Sequence, residues 1–252
     1  MRYFVRLAYN GAEFHGWQVQ PSDTSVQETL EKALSMVLRA SISVVGAGRT
    51  DAGVNAATMY AHFDVETPIG DCARLVRSLN SILCRDIAIH SIFPVHDDAH
   101  ARFDATSRTY KYFVHTSKSP FLYPLSWYCR WNLDYDLMNE AAERMMNYTD
   151  FTSFSKLHTD VKTNNCCITH ARWQREGDQW VFTVTANRFL RNMVRAIVGT
   201  LVDVGTHRIT VEQFCDIIEK KDRCKAGMSM PGNALFLWDV TYPYINDNNH
   251  KK

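Results

Sequence analysis

The sequence predicts an α+β fold: two similar α/β halves sharing a central, mostly antiparallel sheet with helices on one face. Segments of period two and segments of helical period run as strand, helix, two strands, helix, strand, and a similar series then follows. No Pro/Gly/Ser-rich spacer separates the two series, so they read as parts of one continuous sheet in a duplicated split β-α-β arrangement. A length of 252 residues, with 46% hydrophobic and 22% charged residues, is enough to bury a substantial core.

The first strand, near residues 2–9, alternates Tyr3, Val5, Leu7 and Tyr9 on one face. An irregular stretch over 10–23 carries Phe14, Trp17, Gln18, Gln20 and Pro21. Ser25-Val26-Gln27-Glu28 has the letters of a capping box, and Val26, Leu30, Ala33, Leu34, Val37 and Leu38 continue it as a helical stripe. A β-like run (Ile42, Val44, Val45) leads into Gly48-Arg49-Thr50-Asp51-Ala52-Gly53-Val54, and an alternating run (Met59, Ala61, Phe63, Val65) leads out. Asp71 caps a second helix over 72–83, and a strand over 87–95 closes a first half expected to span 1–104.

The second half, expected over 105–246, opens with a strand at 108–114 and a helix at 136–146. A hairpin follows, 168–175 and 180–185, joined by residues 176–179. A helix is predicted from Phe189 to Val204, then a short one capped by Thr210 with Gln213, then a last strand over 235–242. The polar tail 247–252 reads as disordered.

Several function classes drop out. No apolar run reaches the roughly 18 residues that a membrane helix needs. The opening Met1-Arg2-Tyr3-Phe4-Val5-Arg6 reads as a strand, not a signal peptide, so a cytoplasmic location is expected. Seven cysteines without CxxC or paired Cys/His spacing predict neither zinc nor a disulfide framework, and Cys166-Cys167 reads as the start of a strand. No phosphate-cradling glycine loop or Ser/His/Asp signature points to a small-molecule enzyme. The net charge of +1 excludes a polycation, so any nucleic-acid surface must come from clustering. Two clusters exist: Arg102, Arg108, Lys111, His115 and Lys118, then Arg188, Arg191 and Arg195. By themselves both are equally well solvated faces.

Candidate chemistry centres on Asp51, a lone carboxylate on a glycine-flanked connector between strands, with Arg49 two residues away. Those letters also describe an ordinary β-turn. Arg188, Arg191 and Arg195 stand at i, i+3 and i+7, the spacing of one helical face. Arg195, flanked by Val194, Ala196, Ile197 and Val198, should lie deepest and therefore requires an anion, either a structural carboxylate or Asp51. Tyr110 and Tyr112 share a strand face beside Arg108. They fit core aromatics whose hydroxyls reach solvent, or a ring that stacks on a nucleobase.

Taken together, the motifs resemble the tRNA pseudouridine synthases of the TruA type. The resemblance rests on Tyr9-Asn10-Gly11 with Phe14 to Pro21 and Ser25-Val26-Gln27, and on Gly48 to Val54 with Ala61-His62-Phe63-Asp64. It continues in His100 to Ala105 with Arg108 to Tyr112, in Phe189 to Arg195 with Val198-Gly199, and in Val240 to Pro243. It implies the pseudouridine synthase fold and isomerisation of uridine to pseudouridine at positions 38–40 of the tRNA anticodon stem-loop. It implies no cofactor and no metal, and a homodimer. It implies Asp51 as nucleophile, Tyr110 as the aromatic packed on the target base, and Arg195 as the cation that keeps Asp51 ionised. Arg49, Arg108, Arg188, Arg191 and Leu235 complete the expected substrate contacts with Tyr110. A synthase for other RNA uridines and a non-catalytic RNA-binding chaperone are the alternatives. The sequence departs from the family pattern at Asn55, Met59, Thr149 and Ala234, positions that bear on which uridines are modified.

Overall fold

The structure, a computed structural model, describes residues 1–156 and 163–245, so the tail expected to be disordered lies outside the described residues. The described residues form the expected α+β architecture: nine strands of a mostly antiparallel sheet and five α-helices. By packing they divide into two units, Met1–Thr106 with the chain from Leu237 onward, and Ser107–Phe236.

In the first unit, β1 (Arg2–Tyr9) runs antiparallel to both β3 (Asn55–Asp64) and β4 (Ile87–Val95). Tyr3, Val5, Leu7 and Tyr9 are buried as their alternation predicts. Phe4 is buried too, among the rings of Tyr60, His62, Phe93, Tyr242 and Tyr244, so the strand is covered on both faces. Helix α1 (Val26–Leu38) starts where Ser25 Oγ accepts the Glu28 N–H, while the Glu28 carboxylate meets Lys32 Nζ one turn on at 2.6 Å. The strand expected over 42–45 shrinks to β2 (Val45–Gly46). Ile42 and Val44 are buried, but their N–H groups donate to Ser35 Oγ and Glu31 Oε1 of α1, each at 2.9 Å, leaving no ladder to join. Helix α2 (Cys72–Ile82) is capped by Asp71 as predicted and packs on β4.

The final strand, β9 (Leu235–Thr241), passes from one unit to the other: Leu235 and Phe236 cluster with the second, Leu237 onward with the first. Polar and aromatic contacts hold this late segment. Thr106 N–H donates to Thr241 O at 2.9 Å, Tyr242 Oη donates to Ala101 O at 2.5 Å, and the Tyr242 ring meets Phe4 edge-on at 5.3 Å.

In the second unit, β8 (Gln179–Ala186) lies between β5 (Ser107–His115) and β7 (Ile168–Glu176), antiparallel to both, and a short unpredicted β6 (Trp127–Tyr128) runs parallel to β5. The β7–β8 hairpin is tighter than expected. Glu176 pairs with Gln179, so only Gly177 and Asp178 turn the chain. Trp173, Phe182 and Tyr112 are fully buried, and Tyr135 stacks on Trp180 with centroids 3.7 Å apart. Tyr135 opens α3 (Tyr135–Met145), capped by Asp134. Helix α4 (Met193–Gly205) is apolar nearly all round and correspondingly buried, while α5 (Val211–Lys220) carries the predicted Thr210–Gln213 capping box.

Candidate active site

In the first unit, the loop bearing Asp51 is laced to residues 9–17 along its whole length. Trp17 N–H donates to Thr50 O at 3.2 Å, and the Thr50 hydroxyl shares a buried 2.9 Å bond with the Tyr9 phenol. Gly53 N–H donates to Phe14 O at 3.2 Å, Val54 N–H closes onto Asp51 O at 3.1 Å, and Asn55 Oδ1 accepts the Gly11 N–H at 2.8 Å in a buried bond. Asn55, a departure from the family pattern, is thus a structural anchor of the loop. Gly16 is required here twice over: its φ is +96°, and a Cβ on it would lie 2.4 Å from Thr50 O. The result is a fixed backbone beneath the carboxylate: Thr50 is buried, Asp51 half-buried and Arg49 exposed. A carboxylate held this way can serve as nucleophile or as proton acceptor.

The remaining predicted residues all belong to the second unit. Arg108 and Tyr110 lie on β5, opposite Ala186 and Val184 of β8. Just beyond β8, Asn187 O accepts from Arg108 Nη1 at 2.9 Å, and the Phe189 ring meets Tyr110 edge-on at 5.0 Å. The structure therefore gathers Arg108, Tyr110 and the 187–189 segment. Leu235 is buried. Tyr112 does not reach solvent, contrary to the expectation for its hydroxyl. It is fully buried, no hydrogen-bond partner for its Oη is found among the described residues, and burial drives its pKa far above the ordinary phenol value against the opposing charge of Arg195.

The expected arginine face is corrected. Helix α4 begins at Met193, not Phe189, so Arg188 and Arg191 precede it and only Arg195 is helical. The competing interactions are local. Asn187 Oδ1 accepts the N–H groups of Cys167 and Arg188, Leu190 N–H points to Met193 Sδ, and Asn192 adopts a left-handed conformation with φ 66°. Arg191 is exposed, whereas Arg188 and Arg195 are half-buried.

A feature the sequence reading missed lies beside Arg195. Its Nε donates to Met230 O at 2.5 Å, and Met230 N–H donates back to Arg195 O at 3.2 Å. The strap over 226–230 can approach α4 so closely because Gly199 has no side chain; a Cβ there would fall 1.9 Å from Met228 O. The available signal was a glycine inside an otherwise apolar helix. Among the described residues, no group of three or more His, Cys, Asp or Glu could hold a metal ion, and the seven cysteines are free.

Comparison with known proteins gives a consistent answer. Residues 141–243 match a family model described as tRNA pseudouridine synthase. A protein of Parabacteroides distasonis named tRNA pseudouridine synthase A is 60% identical over 242 residues, covering 96% of each chain. Proteins of the same name from Bacteroides thetaiotaomicron and Bacillus subtilis are 58% and 39% identical, covering 96% of this chain and 91% and 99% of their own.

Proposed function

The chain belongs to the tRNA pseudouridine synthase A family, and from that premise we propose that it isomerises uridine to pseudouridine at positions 38–40 of the tRNA anticodon stem-loop. Asp51 is the nucleophile, Tyr110 the ring that packs on the target base, and Arg195 the cation that keeps Asp51 ionised. Arg49, Arg108, Arg188, Arg191 and Leu235 contact the RNA around them. The observation that carries this reading is the Asp51 loop, whose backbone and flanking side chains are fixed by bonds from Tyr9, Gly11, Phe14 and Trp17. A loop whose backbone is anchored on both sides of Asp51 presents that residue from a rigid base.

The reaction sets what these residues must do. The C1′–N1 glycosidic bond breaks, the uracil turns while retained in the site, C5 bonds to C1′, and the C5 proton is released. Nothing is oxidised or reduced, and every atom but that exchanged proton stays, so the reading includes no cofactor. Asp51 can promote the first step by attack on the sugar or on the base. An aromatic wall at Tyr110 would retain the detached ring, and a flipped-out nucleotide gives access at a modest unstacking cost. The exposed Arg49 and Arg191 suit phosphate contacts, which would make binding salt-dependent. A homodimer would join two modest basic clusters into one longer RNA groove, and a cytoplasmic location follows from a tRNA substrate. No helix among the described residues is long and apolar enough to cross a membrane.

The test is release of tritium from C5-labelled uridine in a tRNA transcript. Wild-type protein should release label, and Asp51→Asn should release none above background while still binding tRNA. Equal release by both would remove Asp51 from the chemistry. If neither releases label although both bind RNA, the chaperone alternative holds. Label released only from other positions would identify a synthase of different site choice.

A further inference from the structure

The strap over 226–230 is tied to α4 by a connected set of bonds. Gly227 N–H donates to Thr200 Oγ1 at 2.9 Å, and Asn192 Nδ2 donates to Ser229 Oγ at 2.6 Å. Met230 exchanges two bonds with Arg195. Its geometry along the helix is therefore set at three points, with Gly199 providing the room between them. One half-buried side chain braces the strap as well. Arg223 sends Nη2 to Ser229 Oγ at 2.9 Å and Nη1 to Gly227 O at 3.1 Å and Ala226 O at 3.4 Å.

We infer that Arg223, acting through Ser229 and the strap, is a positioning residue for the Arg195 guanidinium. The inference rests on the reading of Arg195 given above. The Met230 carbonyl fixes the Nε edge of Arg195, and a guanidinium held by Nε keeps its two terminal nitrogens aimed in one direction. Between its ties to α4 the strap has little side-chain packing to hold it, since Met228 is exposed and Gly227 has no side chain. Arg223 adds three bonds to that set. Its fork spans two carbonyls and a hydroxyl at once, which a lysine's single ammonium cannot reproduce. Ser229 Oγ is the shared acceptor that passes the constraint to Asn192, the residue from which α4 starts. Loosening the brace would let Arg195 swing without removing its charge. Loss of catalytic geometry by about an ångström is worth up to about 100-fold in rate.

The experiment uses Arg223→Ala, Arg223→Lys and Ser229→Ala in the full chain, each alone and combined with Arg195→Ala. Single-turnover tritium release, tRNA affinity at fixed salt and melting temperature are read for each. The expected result for Arg223→Ala is a turnover about tenfold slower or more, with tRNA affinity within about twofold of wild type. Arg223→Lys should recover little of the loss, and Ser229→Ala, which keeps every charge and removes only the shared acceptor, should show a smaller fall of the same kind. In the Arg195→Ala background each of these substitutions should cost nothing further. Three outcomes overturn the inference: wild-type turnover in Arg223→Ala and Ser229→Ala, full rescue by lysine, or losses that multiply with that of Arg195→Ala. A fall in affinity matching the fall in turnover also overturns it, and marks Arg223 as an RNA phosphate contact. Wild-type turnover in Arg195→Ala itself is a different result, because it removes the reading of Arg195 and leaves the brace without a catalytic target.

Discussion

At the scale of single residues, two phenols in comparable burial have opposite value. Tyr9 and the Thr50 hydroxyl form a buried bond that holds the loop preceding Asp51. Its removal in Tyr9→Phe leaves Thr50 without that partner and should cost about 1–2 kcal/mol of stability. Tyr112→Phe removes a buried hydroxyl that has no hydrogen-bond partner among the described residues, so urea titration should find it as stable as wild type or more so. A loss in Tyr112→Phe as large as that in Tyr9→Phe would contradict the assignment. This contrast marks the limit of reading residues from sequence. Alternation put Tyr110 and Tyr112 on one face of a strand, but period two carries no information about depth. Asp51 was easier to single out, because Gly48, Gly53 and the strand patterns around them bracket one carboxylate. That Tyr9, Gly11 and Trp17 tie down the same loop was not legible, since it depends on chain segments that meet only in three dimensions.

Helix α4 shows how an element can be right in kind and wrong at its edge. The arginines at 188, 191 and 195 have helical spacing by coincidence, and the stop signal was weak, since Asn192 in a left-handed conformation is a cost the sequence does not advertise. Where the capping letters were strong, at Asp71 and at Thr210 with Gln213, helix starts matched to the residue. The 42–45 run failed for a different reason: apolar burial was correct, but side chains of α1 claimed the N–H groups a strand would need. Packing around α4 also reverses a propensity argument. Replacing a mid-helix glycine by alanine ordinarily favours the helix by about 1 kcal/mol. At Gly199 the new Cβ would sit 1.9 Å from Met228 O, and displacing backbone from a packed contact costs about 1–3 kcal/mol. Gly199→Ala should therefore be net destabilising and should slow turnover as the strap shifts. A melting temperature at or above wild type, with normal turnover, would show that the strap yields freely.

For the molecule as a whole, acid should act through His62. This ring is buried against Phe4, its Nδ1 accepts the Ala101 N–H at 3.1 Å, and His100 meets it edge-on at 4.7 Å. Burial, then the charges of Arg2 and His100, lower its pKa from 6.5 to about 4, against the opposing pull of Asp64 and Asp104. The folded state thus keeps His62 neutral over a range in which the unfolded chain takes up a proton. Its contribution is whole above about pH 6.5 and is lost as pH falls towards 4. The total is on the order of 2 kcal/mol once partial solvent access is allowed for. Urea midpoints measured from pH 7 down to 4.5 should fall for wild type more steeply than for His62→Gln, and parallel slopes would exclude His62 as the cause. The order of the α-helices and the long strands was legible because it depends on local periodicity, whereas the short β6 was not. The placement of β9 was not, because Leu237 to Tyr242 differ little in composition from any other buried strand.

That placement has a consequence for biosynthesis. Residues 237–244, which carry Tyr242 and Tyr244 onto Phe4, leave the ribosome only after the whole of the second unit. The nascent N-terminal portion must wait with one side of its aromatic cluster uncovered while about half the polypeptide is still being made. Vectorial synthesis therefore cannot finish this protein one portion at a time, and its earliest-made part is the last to be sealed.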